Sequence, residues 1–431
     1  MMKNEKGLLN MRLSQVCAYV LILLVLALES CLFFLSVVPD GFFRFCNYHI
    51  KYLTSLLALV GMLVFLCSRD MGRRRYMFAM PLLAFVLMCL ALVFASTIYY
   101  NESLLSVIQV AAPCLCIPLL YFSLHETVVN QPMYKFLVNA TIMFGFIYAT
   151  VALLQSIGLP LMKNDINGVD VVSLRSGRDR IIWTGDFVAF GAVLALGRAY
   201  STRKRRALCL IAFFVMVFDL FWVAQTRFLL IALVFTAAFG FVIKGKSRTM
   251  KVIFVVAAAV LIAFLFSDDL MAVLFPSELD LSSDLRLGAY PYYWSHALDM
   301  GLFGLGYIPD GSLHSYLLSM VYTAGSLRGA ITDIGIVGYI ARYGISGAVI
   351  LALGIGCFIK GYHDRDKMTF SLGQNVEAWM ALAFFIATSP TMAITDPQRI
   401  VYLPMLALLL EHALTYAPAM SSTLKNVTVG H

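Results

Sequence analysis

Long apolar stretches, separated by short polar segments, dominate the pattern along the chain. Most of them approach the roughly 20 apolar residues that a helix needs to cross the hydrocarbon core of a bilayer. We predict about twelve membrane-spanning helices on this criterion, within residues 14–38, 50–67, 76–97, 104–124, 136–158, 183–200, 207–225, 228–243, 252–266, 343–359, 375–389 and 400–416. The predicted fold is an all-α polytopic membrane protein with a single membrane domain over residues 1–431.

Two polar segments between these stretches are too long to be simple turns. Residues 159–182 contain three closely spaced arginines, and residues 267–342 form the largest non-apolar part of the chain. Long loops without structure of their own are uncommon unless they are functional. We therefore expect the second segment to carry short helices that lie on the membrane surface.

Composition and charge agree with a membrane protein. Hydrophobic residues make up 61% of the chain and charged residues 13%, which excludes a soluble enzyme. The net charge is +8, and the basic clusters lie in alternate connections, near residues 69–75, 203–206, 244–251 and 360–367. Because cytoplasmic loops retain Lys and Arg, we predict cytoplasmic termini and place both long segments outside. The basic excess reflects topology and contact with anionic membrane lipids, and it does not indicate nucleic-acid binding.

The nine cysteines predict neither a disulfide framework nor a zinc site. Eight of them lie in or beside apolar stretches, and the sequence has no Cys-x-x-Cys pair. No phosphate-binding glycine loop, Gly-x-Ser-x-Gly motif or acidic metal motif occurs in a suitable context. We therefore expect chemistry that uses no metal and no other cofactor.

The first candidate site is the arginine cluster Arg175, Arg178 and Arg180 in the predicted outside segment 159–182. Guanidinium groups bind phosphate through two parallel charge-assisted hydrogen bonds and keep their charge at any physiological pH. Three of them in six residues could hold a diphosphate. The alternatives are an anchor at the membrane interface and an ion pair with Asp179 or Asp186.

Arg227 is the second candidate, in the tight turn Gln225-Thr226-Arg227 between two predicted spans. A cation at this depth must extend its side chain to the membrane surface, pair with a neighbour such as Asp219, or meet an anionic ligand. The sequence leaves these three interpretations open.

The long outside segment holds the remaining candidates, Arg286 and His314. An imidazole with an ordinary pKa of about 6.5 can accept a proton from a hydroxyl nucleophile at neutral pH, although a structural role for His314 is the alternative. His296 is a weaker rival. The aromatic run 290–294 can stack on sugars or form the usual interfacial belt. The glycines from Gly335 to Gly347 favour close packing of membrane helices.

Together these motifs resemble the O-antigen ligase and polymerase superfamily. The resemblance covers roughly residues 170–350 and rests on the outside arginines, the Gln-Thr-Arg turn, a long loop with Arg286, Trp294 and His314-Ser-Tyr-Leu, and the glycine-rich segment from Asp333 to Gly347. Many ligases carry His-Asn where this chain has His314-Ser315, and the glycine-rich segment looks more like that of polymerases.

The resemblance implies a glycosyltransferase of the bacterial inner membrane. It would act by inverting, metal-independent transfer at the periplasmic face, joining undecaprenyl-diphosphate-linked repeat units into O-antigen, capsule or exopolysaccharide. The resemblance makes His314 the candidate base. It also gives a diphosphate-binding role to five arginines, namely Arg175, Arg178, Arg180, Arg227 and Arg286. A chain-length regulator protein is a possible partner. The alternatives are an O-antigen ligase acting on the lipid A core, and a transporter of lipid-linked sugars.

Overall fold

The computed structural model describes most of the chain, including nearly all of the predicted spans. The described residues are 13–67, 76–163, 165–166, 169–170, 172–175, 178–181, 185–244, 248–265, 288–295, 301–309, 311–321, 328–364, 375–396 and 399–415. Arg286 and His296 lie outside them, as do the basic residues of segment 69–75.

A helix lies within or across every apolar stretch predicted from the sequence, which confirms a helical core. The helices are α1 (Leu13–Glu29), α2 (Asp40–Leu66), α3 (Ala79–Tyr100), α4 (Leu104–Ala111), α5 (Cys116–Ser123), α6 (Glu126–Val129), α7 (Gln131–Ser156), α8 (Gly185–Ser201), α9 (Arg206–Trp222), α10 (Arg227–Lys244), α11 (Arg248–Leu265), α12 (288–295), α13 (Gly335–Asp364), α14 (Val376–Thr388) and α15 (Tyr402–Thr415). Side-chain caps set two of the helix starts, because Ser103 and Asn130 accept hydrogen bonds from N–H groups in the first turns of α4 and α7.

Six helical segments of the described residues are long and apolar enough to cross a membrane. They are His49–Leu66, Ala79–Tyr100, Leu104–Val129, Gln131–Ser156, Arg227–Lys244 and Ile331–Asp364. Shorter apolar helices occupy Gln15–Glu29, Val376–Thr388 and Tyr402–Thr415. The segment Leu104–Val129 contains a 3₁₀ turn at Ala112–Leu115, where Pro113 lacks the N–H that a continuous α-helix requires.

Short β-hairpins in the connections are a feature that the sequence analysis did not predict. β1 (Asp165–Ile166) pairs with β2 (Val169–Asp170), β3 (Val172–Arg175) with β4 (Arg178–Ile181), and β5 (Ser319–Val321) with β6 (Arg328–Ala330). The long segment carries the short helix α12 and 3₁₀ turns at Ser315–Leu318 and Ile331–Ile334, so its prediction of short helices is confirmed in part.

The helices have two distinct ends, which we name by their connections. The basic end contains the connection 202–205 and the end of α13 near Lys360, and the long-loop end contains residues 301–334. At the long-loop end the Ile336 N–H donates to the Ser389 carbonyl over 2.9 Å, which joins the start of α13 to the connection after α14. At the basic end Met77, just before α3, bonds to Glu411 late in α15.

The glycine-rich segment packs differently from the prediction. Gly344 interrupts α13 with φ +61° and ψ −152°, and a Cβ there would lie 2.4 Å from the Gly301 carbonyl oxygen. Residues of the long loop bond to the opened turn, since the Leu305 and Gly306 N–H groups donate to the Ala341 and Arg342 carbonyls over 2.8 Å. The prediction that these glycines pack one helix against another is therefore wrong for Gly344. The missing side chain there makes room for the backbone of the long loop.

Glu377 lies buried at the basic end and accepts hydrogen bonds from three side chains. Its side chain is 1% exposed and accepts hydrogen bonds from Arg198 Nη1 at 3.1 Å, the Ser201 hydroxyl at 3.0 Å and the Tyr134 hydroxyl at 3.4 Å. The carboxylate thereby joins α7, α8 and α14. A buried charge with this many partners is compensated.

Glu411 forms a second network at the same end. It accepts from the Met77 N–H at 2.8 Å and from the Tyr121 hydroxyl, and its Oε1 lies 3.2 Å from His125 Nε2. Glu411 and His125 are 1% and 0% exposed, respectively. The network joins the start of α3 and the α5–α6 connection to α15.

Candidate functional site

His314 lies in a turn of the long loop, packed against the end of α3. Its ring is half-buried, with its centroid 5.0 Å from that of Tyr100 and the two ring planes at 48°. Its backbone N–H donates to the Ser312 hydroxyl over 3.1 Å, and Tyr100 donates to the Leu305 carbonyl over 2.8 Å. Nδ1 of His314 has no hydrogen-bond partner among the described residues. The imidazole is thus packed in place, with its Nδ1 atom buried and unpartnered among the described residues.

Two of the three arginines in segment 159–182 are paired in the backbone register of a hairpin. Arg175 at the end of β3 pairs in register with Arg178 at the start of β4, and Ser173 pairs with Arg180. The backbone therefore brings Arg175 and Arg178 together, and the side-chain positions of all three arginines lie outside the description.

Arg227 is the first residue of α10 and is half-buried. The turn before it is strained, because Gln225 has φ +50° and is 5% exposed. Neither Gln225 Oε1 nor Thr226 Oγ1 finds a hydrogen-bond partner among the described residues. The turn packs beside the start of α8, since a Cβ on Gly185 would lie 3.9 Å from Ala224 Cβ.

Arg399 is the residue that sequence reasoning missed. It lies in the connection before α15, is 0% exposed, and places its guanidinium carbon 4.9 Å from the centre of the Phe385 ring. Nε, Nη1 and Nη2 all lack hydrogen-bond partners in the described part of the chain. The signal in the sequence was a lone arginine beside an apolar stretch on the predicted outside, where basic residues are disfavoured.

Asp186, in the first turn of α8, is the electrostatic counterpart of Arg399. It is 0% exposed, it interacts electrostatically with Arg399, and neither of its carboxylate oxygens has a hydrogen-bond partner in the described structure. The Tyr402 hydroxyl lies beside it, yet the two groups do not meet the geometry of a hydrogen bond. We call Asp186, Gln225, Thr226, Arg399 and Tyr402 the outer polar cluster.

Unpartnered buried polar atoms concentrate at the long-loop end. Such atoms are usually satisfied in proteins, and leaving one unsatisfied costs about 1–3 kcal/mol, more for a charged group. At the basic end, Nδ1 of His125 also lacks a partner, but the carboxylates of Glu377 and Glu411 have several partners each. Within the described residues of the long-loop end, atoms without partners occur on Asp186, Asp219, Gln225, Thr226, His314, Arg342, Thr391, Arg399 and Tyr402.

Buried hydrogen bonds connect the surroundings of the outer polar cluster to the long loop. The Tyr343 hydroxyl of α13 donates to Thr395 Oγ1 over 3.1 Å. The next residue, Asp396, accepts a hydrogen bond from the Arg399 N–H through its carbonyl. The Arg342 carbonyl, also in α13, accepts a hydrogen bond from the Gly306 N–H of the long loop. The His314 loop and the outer polar cluster are therefore parts of one packed end.

Tyr307 is a buried phenol of the long loop that is unsuited to accept a proton at neutral pH. Its hydroxyl lies 3.1 Å from Cys89 Sγ. Burial raises the pKa of Tyr307 well above its usual value, so the phenol stays protonated at neutral pH. Among the described residues of this loop, His314 instead has a buried ring nitrogen, Nδ1, without a hydrogen-bond partner.

The chemistry available at this end is that of guanidinium, imidazole, carboxylate and hydroxyl groups. Among the described residues, no three His, Cys, Asp or Glu side chains come together as potential metal ligands. The positively charged side chains at this end include Arg227, Arg342 and Arg399. A scan against models of protein families gives no match to this chain, and a search of curated proteins finds no similar one.

Proposed function

We propose that the protein is a membrane glycosyltransferase that polymerises undecaprenyl-diphosphate-linked oligosaccharide repeat units. The observation that carries the proposal is the concentration of unpartnered, buried polar groups at the long-loop end, with His314 in the loop packed there. Perturbed and unsatisfied groups of this kind cluster at functional sites. The family resemblance described above supplies the substrate class and the reaction.

The proposal includes a twelve-span topology with cytoplasmic termini, in the inner membrane of a bacterium. The long-loop end then faces the periplasm, and the basic end, with Arg203–Arg206, faces the cytoplasm. The six long apolar helices and the three shorter ones of the described residues support a membrane protein, and the further spans and the orientation are part of the proposal. The substrate lipid is expected to lie with its diphosphate at the level of Arg227.

In the proposed reaction, a hydroxyl oxygen of the acceptor repeat unit attacks the anomeric carbon of the donor glycan. The bond between that carbon and the diphosphate oxygen breaks with inversion, and undecaprenyl diphosphate leaves. His314 takes the proton of the attacking hydroxyl through an imidazole nitrogen. Arg175, Arg178, Arg180, Arg227 and Arg286 are proposed to bind the diphosphate and stabilise the charge that grows on it.

The function is tested directly with purified protein in nanodiscs and synthetic lipid-linked repeat units, followed by mass spectrometry of the products. Formation of dimers and longer oligomers, each with release of undecaprenyl diphosphate, is the expected result. Addition of lipid A core as a second acceptor separates the polymerase from a ligase. Movement of intact lipid-linked units across a vesicle membrane without new glycosidic bonds would contradict the proposal and favour transport.

Single replacement of Arg180, Arg227 or Arg286 by Ala is expected to shorten the polymer ladder seen on gels. Loss of a charge-assisted hydrogen bond to phosphate costs about 1.5–3 kcal/mol, or roughly 10- to 100-fold in transfer rate when it forms in the transition state. Arg205→Ala, an exposed residue of the basic end, serves as the control and should leave the ladder unchanged. Normal ladders from all three variants would refute the diphosphate assignment.

A further inference from the structure

We propose that residues 301–309 of the long loop form a re-entrant segment, which enters the membrane from the long-loop end and contacts the acyl chains of bilayer lipids through Leu302 and Phe303. This placement is independent of the proposed function. It requires that α3 and α13 cross the membrane, and both lie in segments that are long and apolar enough to do so. The sequence alone predicted an outside position for the whole of residues 267–342.

The chain on both sides of the re-entrant segment lies at the long-loop end. Before it, the Tyr290 hydroxyl of α12 donates to the Pro390 carbonyl, in the connection that also bonds to the first turn of α13. After it, the His314 ring packs against Tyr100, the last residue of α3. A segment that lies deeper than these two points enters and leaves on the same side.

Four backbone hydrogen bonds join the re-entrant segment to α13 well inside that helix. They run from the N–H groups of Leu305 and Gly306 to the carbonyls of Ala341 and Arg342, and from the N–H groups of Ile345 and Ser346 to the carbonyls of Gly301 and Leu302, at 2.8 to 3.3 Å. At a rise of about 1.5 Å per residue, Ser346 lies about 16 Å along the helix from its first residue, Gly335. Leu302 is therefore well below the long-loop end of α13.

Contacts with α3 give a second measure of depth. This helix, Ala79–Tyr100, is about 33 Å long, which matches the roughly 30 Å hydrocarbon core of a bilayer. The Tyr307 N–H donates to the Ser96 hydroxyl over 2.9 Å, and the Tyr307 hydroxyl donates to Cys89 Sγ over 3.1 Å. Ser96 and Cys89 lie about 6 and 16 Å from the end of α3, respectively. The segment is thus level with the half of the hydrocarbon core nearest the long-loop end.

The backbone of the re-entrant segment is bonded as this depth requires. Irregular backbone within hydrocarbon has no water to bond with, so its partners must come from the protein. In addition to the bonds with α13, the Leu305 carbonyl accepts from the Tyr100 hydroxyl over 2.8 Å. Glycine permits the close fit, because Gly304 has φ +58° and a Cβ there would lie 2.5 Å from the Ala341 carbonyl oxygen. A loop surrounded by water would not need so many protein partners.

Leu302 and Phe303 are exposed at this depth. They are 55% and 38% exposed, whereas the apolar side chains within 305–308 are buried. The adjoining face of α13 is also apolar and exposed, at Ile345 and, one turn further, at Val349. Because the backbone bonds at Ile345 and the next residue hold the segment against this face, the two surfaces are continuous. Acyl chains are the partner that fits an apolar surface continuous with the outside of a membrane helix.

The re-entrant segment also fixes the level of His314. The segment is anchored between α3 and α13, and His314 packs against Tyr100 where α3 ends. The imidazole therefore lies near the membrane surface, at the level where the headgroups of lipids are found.

The test introduces an environment-sensitive fluorescent amino acid at position 302 or 303 of the full-length protein, in nanodiscs of phosphatidylethanolamine and phosphatidylglycerol. Two quenchers are compared, namely phospholipids whose acyl chains carry bromine, and iodide in the water. The same fluorophore at Val349 reports the lipid-facing side of α13, and at Arg205 it reports an exposed connection of the basic end. Melting temperatures confirm folding, and the use of two positions covers the loss of either variant.

We expect brominated lipid to remove most of the fluorescence at positions 302 and 303, as at Val349, and iodide to have no effect there. Iodide should quench the fluorophore at Arg205. Quenching by iodide at 302 and 303, with or without quenching by lipid, would place the segment at the water surface and overturn the proposal. A fluorophore that neither quencher reaches would be covered by protein, which would contradict contact with acyl chains.

Discussion

Replacement of His314 by Ala is expected to lower the turnover of glycan transfer by about 10²- to 10⁴-fold, the usual contribution of a general base. The ring packs against Tyr100, and its buried Nδ1 has no hydrogen-bond partner among the described residues, which is the arrangement of a group with an unused proton-binding nitrogen. Turnover should be measured with lipid-linked repeat units at saturating concentration, on protein whose amount and melting temperature are checked.

His363→Ala is the matched control for this prediction. His363 is exposed in the last turn of α13, at the basic end, and its replacement should leave turnover unchanged. An additional His314→Asn variant keeps much of the size of the ring but cannot act as a base at neutral pH. Full activity in both His314 variants would remove His314 from the reaction and leave it a packing role beside Tyr100.

Gly344→Ala should destabilise the protein by about 3–5 kcal/mol, the range of the more severe single substitutions. The backbone at Gly344, with φ +61° and ψ −152°, lies in a region that is essentially restricted to glycine. The added Cβ would also lie 2.4 Å from the Gly301 carbonyl and 2.5 Å from the Gly304 nitrogen, both of which are main-chain atoms. The long loop would have to leave the opened turn of α13.

Gly354→Ala in the same helix provides the control. No atom lies within 4 Å of a Cβ built at Gly354, and replacing glycine by alanine inside a helix stabilises by about 0.5–1 kcal/mol. Thermal unfolding of both variants in the same detergent should therefore move in opposite directions. Equal melting temperatures for Gly344→Ala and the wild type would show that the loop does not depend on the interruption of α13.

The sequence predicted where helices lie better than where they end. Hydropathy located α7 within 136–158, but the helix begins at Gln131, whose preceding residue Asn130 caps it. It extended the first span to Val38, whereas α1 ends at Glu29 and Leu35 forms an isolated bridge with Met162. Apolar composition does not distinguish a buried irregular segment from a helix, so such ends depend on tertiary contacts.

The candidate site was predictable only as far as local sequence determines it. The position of His314 in a structured loop and of Arg227 at a helix start follows from nearby residues. Arg399 was missed because its environment is made by distant elements, the Phe385 ring of α14 and Asp186 of α8. The role of Gly344 was misjudged for the same reason, since its partner is a loop some forty residues earlier in the chain.

The fully bonded Glu377 and Glu411 carboxylates have a mechanical consequence. Together they tie the starts of α3 and α14 to α7, α8 and α15 at the basic end, whereas Asp186 and Arg399 at the opposite end are not directly bonded. Under the proposed function, helices that spread apart to admit the polyprenyl chain would pivot about the basic end as a hinge. In the proposed orientation the periplasmic leaflet alone would open, and the cytoplasmic side would remain a permeability barrier to ions throughout turnover.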